Sequence, residues 1–173
     1  QAAACTEHFP KTAQELANRF WPGPLTLVLR KTEAIPELVT AGLPTVAVRM
    51  PGHPLALELI RQTGVPLAAP SANPFGALSP TTPEHVRKQL GATVDTVLDG
   101  GPCTVGVEST IVSLAGKQPV LLRPGGIPAE AIEQVVGPLA RPDSGEKRPS
   151  APGQLPSHYA PRTPLFLATD PEA

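Results

Sequence analysis

Aromatic residues make up only 3% of the 173-residue sequence, with one Trp, one Tyr and four Phe. A core built from it is aliphatic, and a surface that stacks nucleic-acid bases on rings has too few rings to work with. An excess of either charge is also missing. Fourteen Lys and Arg against 15 Asp and Glu leave a formal net charge of −1, which argues against affinity resting on bulk attraction to a phosphate backbone. Direct nucleic-acid binding is therefore expected to be weak or absent. The two cysteines, Cys5 and Cys103, cannot make a disulfide framework, and neither sits in a C-x-x-C pair. Ordinary thiols in a reducing compartment are the simpler expectation. No apolar run nears the roughly 18 residues of a membrane span, and no signal-peptide pattern opens the chain. A cytoplasmic protein with no membrane association is expected.

The common catalytic signatures are missing as well. There is no G-x-x-x-x-G-K-[ST] loop, no G-x-G-x-x-G after a strand and no H-E-x-x-H. His8, His53, His85 and His158 are scattered without ligand spacing. Nothing resembles a nucleophile elbow.

Proline is abundant instead: 24 residues of 173, against a usual share of about 5%. Much of it punctuates helices. Thr12-Ala13-Gln14-Glu15 fits a capping box, with Leu16 and Phe20 on the face behind it. Pro54 opens a segment closed by Gly64, Thr82-Pro83 opens one closed by Gly91, and Pro128 opens one closed by Gly137. Proline just inside the start and glycine just past the end is the asymmetry that helices favour. Short β-branched runs at 25–29, 45–50, 65–69, 94–98, 110–114 and 120–122 read as strands between them. Interleaved helices and strands predict an α/β layered domain. The 115–119 connection suits a hairpin, so the sheet is expected to be mixed. From Pro138 to Pro164 prolines recur among charged residues, which predicts an extended linker. An apolar run resumes at Leu165, as at the start of a further domain. Residues 10–20 already read as mid-domain structure, so the sequence is expected to be a fragment.

Chemistry-bearing residues fall at strand ends. Arg49 closes the apolar run 45–48, where it needs either an anionic partner or the surface; both readings fit. Pro70-Ser71-Ala72-Asn73 follows the run 65–69 and can bind a ligand or close an Asx-type turn. Gly106-Val107-Glu108-Ser109-Thr110 enters a strand, and Leu122-Arg123-Pro124-Gly125-Gly126 leaves one. Two arginines, several hydroxyls and glycine-rich strand ends suit a pocket for a phosphate-bearing small molecule, a common arrangement in open α/β sheets. Such a pocket works by positioning and charge neutralisation.

Five strings in this order carry a resemblance. They are Phe20-Trp21-Pro22-Gly23-Pro24-Leu25-Thr26, Val46-Ala47-Val48-Arg49-Met50-Pro51, Ala69-Pro70-Ser71-Ala72-Asn73, Gly106-Val107-Glu108-Ser109-Thr110-Ile111-Val112 and Leu122-Arg123-Pro124-Gly125. Together they resemble the YrdC-like family, and within it the threonylcarbamoyl-AMP synthases. Ala151-Pro152-Gly153-Gln154 with His158-Tyr159-Ala160-Pro161 is similar to the linker of the longer, two-domain form. The resemblance implies a YrdC-like twisted mixed sheet flanked by helices and followed by a proline-rich linker. It implies a catalytic domain over 1–137 without its N-terminal part, a linker or lid over 138–164, and the start of a C-terminal domain over 165–173.

The implied reaction takes L-threonine, bicarbonate and ATP to threonylcarbamoyl-AMP and pyrophosphate, a product that a separate tRNA-modifying transferase complex consumes. By the family pattern Arg49 and Ser109 contact threonine, with Ala69 lining that pocket. Thr45, Ser71, Asn73, Ser79 and Arg123 contact ATP, and Tyr159 closes over the nucleotide. Mg2+ accompanies the triphosphate. Ala69 stands where the family often has a hydroxyl residue, Phe75 where it has a small polar one, and Ser113 where an acidic one is frequent. The family's N-terminal strands carry a Lys-x-Arg segment that contacts ATP; without it the chain on its own is expected to be inactive or poorly folded. Two other readings remain beside this one. A double-stranded RNA-binding module is disfavoured by the near-zero charge. The YrdC-like domain of a carbamoyl-transfer maturation protein is disfavoured by the lack of zinc-finger-like cysteines.

Overall fold

The computed structural model describes residues 1–142, Ala151, Thr163 and Pro164. Its centre is a four-stranded mixed sheet in the order β2-β1-β3-β4, made of β1 (Leu25–Arg30), β2 (Thr45–Val48), β3 (Thr110–Ser113) and β4 (Val120–Arg123). β1 runs antiparallel to β2 and parallel to β3, and β3 runs antiparallel to β4. The expected mixed sheet and its hairpin are therefore present.

Side chains alternate across the strands, and the two faces differ in kind. Leu25, Leu27, Val46, Val48, Val112 and Leu121 point to one face and are buried there. Helix α1 (Lys11–Phe20) and helix α5 (Ala129–Val136) lie against each other and cover it, contributing Leu16 and Ile132, both fully buried. Each such Leu or Ile contributes roughly 1.5–3 kcal/mol. The opposite face carries Thr26, Val28, Ala47, Ile111 and Arg123. Neither α1 nor α5 covers it. A small cluster of Val28, Ile111 and Ala151, with Leu122 against it, is its apolar part.

One irregularity affects the site directly. Val112 pairs with Leu121 and Ser113 with Val120, yet Ile111 pairs with Arg123, so Leu122 is a surplus residue in a bulge. Strict alternation from Leu121 would send Arg123 into the core. The bulge puts it opposite Ile111, on the open face.

The remaining helices are α2 (Glu37–Thr40), α3 (Pro54–Thr63) and α4 (Pro83–Leu90), with 3-10 turns at Ala2–Cys5 and Gly91–Thr93. Local signals account for α3 and α4. The His53 ring accepts from Leu55 N, Gly64 closes α3 at φ 70°, and Thr82 Oγ1 accepts from His85 N at 3.3 Å. These two helices bury nothing, and no residue from 49 to 108 is buried.

Three local expectations need correction. α1 begins at Lys11 with Pro10 as its N-cap and no side-chain cap. Pro10 O accepts from Gln14 N at 3.0 Å, which leaves the Thr12 hydroxyl inside the first turn rather than ahead of it. The runs 65–69 and 94–98 are not strands. They have no ladder partner among the described residues, and Val65, Leu67 and Leu98 stand exposed; β-propensity without a partner does not make a strand. The apolar run at 165–167 lies outside the described residues.

Candidate functional site

The site is built at one end of the open face, where β1 and β3 begin and β2 and β4 end. The Phe20-to-Thr26 string turns the chain from α1 into β1. Trp21 N bonds back to Ala17 O, and Trp21 Nε1 donates to Leu25 O at 2.7 Å. A Cβ on Gly23 would lie 2.4 Å from Phe20 O, so only glycine fits there. Gly23 then holds the end of β2 from both sides: its N–H donates to Met50 O at 2.9 Å, and its carbonyl accepts from Arg49 Nε at 3.0 Å. The string thus aims Arg49.

Ser109 sits at the entry of β3 and is buried, as is Thr26 beside it on β1. Their hydroxyls share a hydrogen bond of 2.8 Å. Arg123, at the end of β4, donates through Nε and Nη2 to Ser109 O at 3.1 and 2.9 Å, and through Nη2 to Ser109 Oγ at 3.1 Å. The turn after Arg123 packs directly on the entry of β3. A Cβ on Gly125 would meet Glu108 O, Ser109 C and Thr110 N at 2.4–2.5 Å, and Gly126 N donates to Glu108 O at 2.9 Å. The two glycine-containing strings are therefore halves of one interlocked unit. Thr110, fully buried, seals its rear by exchanging hydrogen bonds with Ile127 N and O.

Arg49 and Arg123 approach closely enough to interact. The Arg49 guanidinium is held below its ordinary value, first by partial desolvation and second by the Arg123 charge. Among the described residues no carboxylate forms an ion pair with Arg49. Two cations held on one side of a sheet, one of them without an acidic partner, form a cradle for an anion.

Thr45 lies at the far end of β2, paired with Arg30. It is about 13 Å from Arg49 at the usual strand rise. Thr45, Arg49 and Ala69 line the same cavity of about 1540 Å3, larger than the roughly 300–1,000 Å3 of ordinary ligand pockets. Ala69 belongs to the unpaired stretch before Pro70, and Ser71 beyond it is exposed. Asn73 donates both amide protons, to Pro74 O and Ala77 O at 3.0 Å each, and its Oδ1 is buried without a partner. Its amide group closes the turn. Ser79 donates to Glu108 Oε1 at 2.7 Å, which ties the 71–79 loop to the Ser109 unit. Tyr159 lies outside the described residues.

Arg49, Ser109, Arg123 and, through Glu108, Ser79 are therefore brought together. Thr45 and Ala69 share the adjoining cavity with Arg49, and no hydrogen bond links Ser71 to the group. Gly23, Thr26 and Glu108 are additional members that residue type alone did not single out, although each stands inside one of the five strings.

Comparison with known proteins identifies the family. A family model for Sua5, YciO and YrdC, described as "Telomere recombination", matches residues 1–125. The chain belongs to the Sua5/YciO/YrdC family. A second model, the threonylcarbamoyl-AMP synthase C-terminal domain, matches residues 127–173. Among curated relatives, the threonylcarbamoyl-AMP synthase of Bacillus subtilis is 54% identical over 163 residues, covering 91% of this chain and 47% of that protein. The Pyrococcus abyssi enzyme of the same name is 45% identical over 175 residues, covering 99% and 52%. The crystal structure of P. abyssi Sua5 complexed with L-threonine superposes with a TM-score of 0.87 at 47% identity, over 91% of this chain and 48% of that one. Escherichia coli YciO gives a TM-score of 0.58 at 25% identity, covering 67% and 57%. The chain thus spans about half the length of the Sua5 relatives it matches.

Proposed function

We propose that the protein is an L-threonylcarbamoyladenylate synthase, forming threonylcarbamoyl-AMP and pyrophosphate from L-threonine, bicarbonate and ATP. The observation that carries this reading is the Arg123–Ser109 hydrogen bonding. A residue suited to ATP and a residue suited to threonine are in direct contact, as a reaction joining the two ligands requires. Relatives at 54% and 45% identity that bear the name threonylcarbamoyl-AMP synthase support the same assignment.

In this reading Arg49 takes the threonine carboxylate, Ser109 contacts the same ligand and Ala69 lines its pocket. Arg123 takes the ATP phosphates, with Thr45, Ser71, Asn73 and Ser79 on the remaining nucleotide surface and Tyr159 closing over it. The threonine nitrogen bonds to the bicarbonate carbon with loss of water. An oxygen of the resulting carbamate attacks the α-phosphorus, and the bond to the bridging oxygen breaks, releasing pyrophosphate. No protein nucleophile is needed; the residues neutralise charge and hold the reacting atoms together. Mg2+ enters with the triphosphate as part of the substrate, and the described residues hold no group of three or more His, Cys, Asp or Glu that would bind it independently. The 138–164 linker serves as the lid, a role supported by Ala151, which packs on Val28 and Ile111 of the open face.

The product passes to a tRNA-modifying transferase complex, and the protein itself has little direct affinity for nucleic acid. A cytoplasmic location follows from this role; among the described residues no helix is long and apolar enough to cross a membrane. Pyrophosphate release by the purified full-length protein is the test. It is expected to require L-threonine, bicarbonate and ATP together. Release driven by carbamoyl phosphate without threonine would overturn the assignment in favour of carbamoyl transfer.

A further inference from the structure

Ser79 and Glu108 are 29 residues apart in sequence, both half-buried, and joined by a 2.7 Å hydrogen bond from the serine hydroxyl to the carboxylate. A hydroxyl has one proton and an ionised carboxylate can only accept. The direction of the bond is therefore fixed by chemistry. With its proton committed to Glu108, Ser79 Oγ has only lone pairs to offer a ligand.

The backbone of Glu108 is held in place beside Ser79. Its carbonyl accepts from Gly126 N at 2.9 Å, and the Gly125 backbone is packed against it so closely that a Cβ there would be 2.4 Å away. The root of the side chain is thus clamped by the turn that carries Arg123. A phosphate oxygen would fare badly at Ser79 in two ways: it would find no donor, and it would stand beside a carboxylate of like charge. Phosphates have a better position at the Arg123 guanidinium, at the end of the sheet.

From this geometry we infer that Glu108 is a positioning residue that fixes Ser79 as a hydrogen-bond acceptor, so that Ser79 reads a donor on the nucleoside. Two groups of ATP qualify, the exocyclic amine of the base and the ribose hydroxyls. The inference rests on the reading of this site as an ATP site, and it adds a source of nucleotide selectivity to it.

Calorimetric titration of the protein and of Ser79→Ala, Glu108→Ala and Glu108→Gln variants tests the inference. The ligands are ATP, ADP, AMP, inosine triphosphate, 2′-deoxy-ATP and 3′-deoxy-ATP. Ser79→Ala is expected to weaken ATP, ADP and AMP by the same factor, about tenfold for one hydrogen bond. One analogue, lacking either the base amine or a ribose hydroxyl, is expected to bind the parent protein about tenfold more weakly than ATP, and it identifies the donor. That discrimination is expected to shrink in Glu108→Ala, where the hydroxyl turns freely and can donate as well as accept. It is expected to survive in Glu108→Gln, whose amide oxygen still accepts. Loss of fold would weaken every ligand alike and leave the ratio between analogues unchanged, so the ratio isolates the positioning role. A Ser79→Ala penalty that grows from AMP to ADP to ATP would overturn the inference, as would an analogue ratio unmoved in a Glu108→Ala variant that keeps the parent's unfolding transition. Failure of the parent protein to bind any adenine nucleotide would overturn the ATP-site reading and this inference together.

Discussion

The guanidinium of Arg123 reaches Ser109 three times, twice at the carbonyl oxygen and once at the hydroxyl. An arginine assigned to one ligand is thus the scaffold for a serine assigned to the other. Arg123→Ala is expected to weaken both ATP and threonine, each by about 1.5–3 kcal/mol for a lost charge-assisted contact. Arg123→Lys retains the charge but lacks the planar fork, so it is expected to recover ATP binding in part and threonine binding hardly at all. Titration of the two ligands against each variant checks this; an effect confined to ATP would show that the scaffold role is absent.

Thr26 supports the same serine from the side, through a buried 2.8 Å bond. Thr26→Val is expected to cost about 1 kcal/mol of stability. Because Ser109 has two supports, the combined Thr26→Val and Arg123→Ala variant is expected to lose more threonine affinity than the sum of the single losses. A double-mutant cycle measures the coupling, and strict additivity would contradict it.

Gly125→Ala places a methyl group against the backbone of Glu108, Ser109 and Thr110. The expected cost is about 1–3 kcal/mol, as for other forced overpacking. Gly116→Ala in the β3–β4 hairpin meets nothing within 4 Å and is expected to stay within about 0.5 kcal/mol of the parent. Denaturant unfolding of the pair separates a steric requirement from a general intolerance of alanine.

The pair of arginines also has consequences for stability. Arg49 is held below its ordinary value by desolvation and by Arg123, so its charged form is less favourable in the fold than in the unfolded chain. That penalty is present wherever Arg49 is protonated, as a guanidinium is throughout the neutral range. Across the neutral range the penalty is constant. L-Threonine, through its carboxylate, is expected to raise the melting temperature without any pH step contributed by this pair, and the gain is expected to shrink in Arg49→Met. A melting-temperature gain of equal size in Arg49→Met would show that the carboxylate binds elsewhere.

Burial predicts a sharp contrast between two leucines. In the 173-residue chain Leu16→Ala is expected to cost about 2–5 kcal/mol, because Leu16 is fully buried between α1 and the sheet. Leu59→Ala on α3, where the side chain is 40% exposed, is expected to cost far less. Equal losses would mean that α3 is packed against an interior.

Much of this organisation is legible in the residues. Helices α3, α4 and α5 start at Pro54, Pro83 and just after Pro128, and each stops at a glycine, because proline and glycine act through their own backbone and need no tertiary partner. The four paired strands were also readable. Runs 65–69 and 94–98 were not, since β-branched composition states a preference and cannot supply the neighbouring strand. The convergence of Arg49, Ser109 and Arg123 could be guessed from strand ends. The roles of Gly23, Thr26 and Glu108 could not, because each depends on a contact between segments far apart in the chain. Nor does alternation along 120–123 reveal the bulge; read strictly, it sends Arg123 to the wrong side.

The surplus residue at Leu122 makes the arginine a guard of strand alignment as well as a ligand group. If β4 slid to regular pairing, Leu122 would face Ile111, and the guanidinium would be driven among Leu25, Leu27 and Val112. Water is absent there, and a bare cation is expensive. The misaligned hairpin is therefore disfavoured by the same charge that equips the aligned one, and replacing Arg123 with leucine would remove that safeguard along with the binding group.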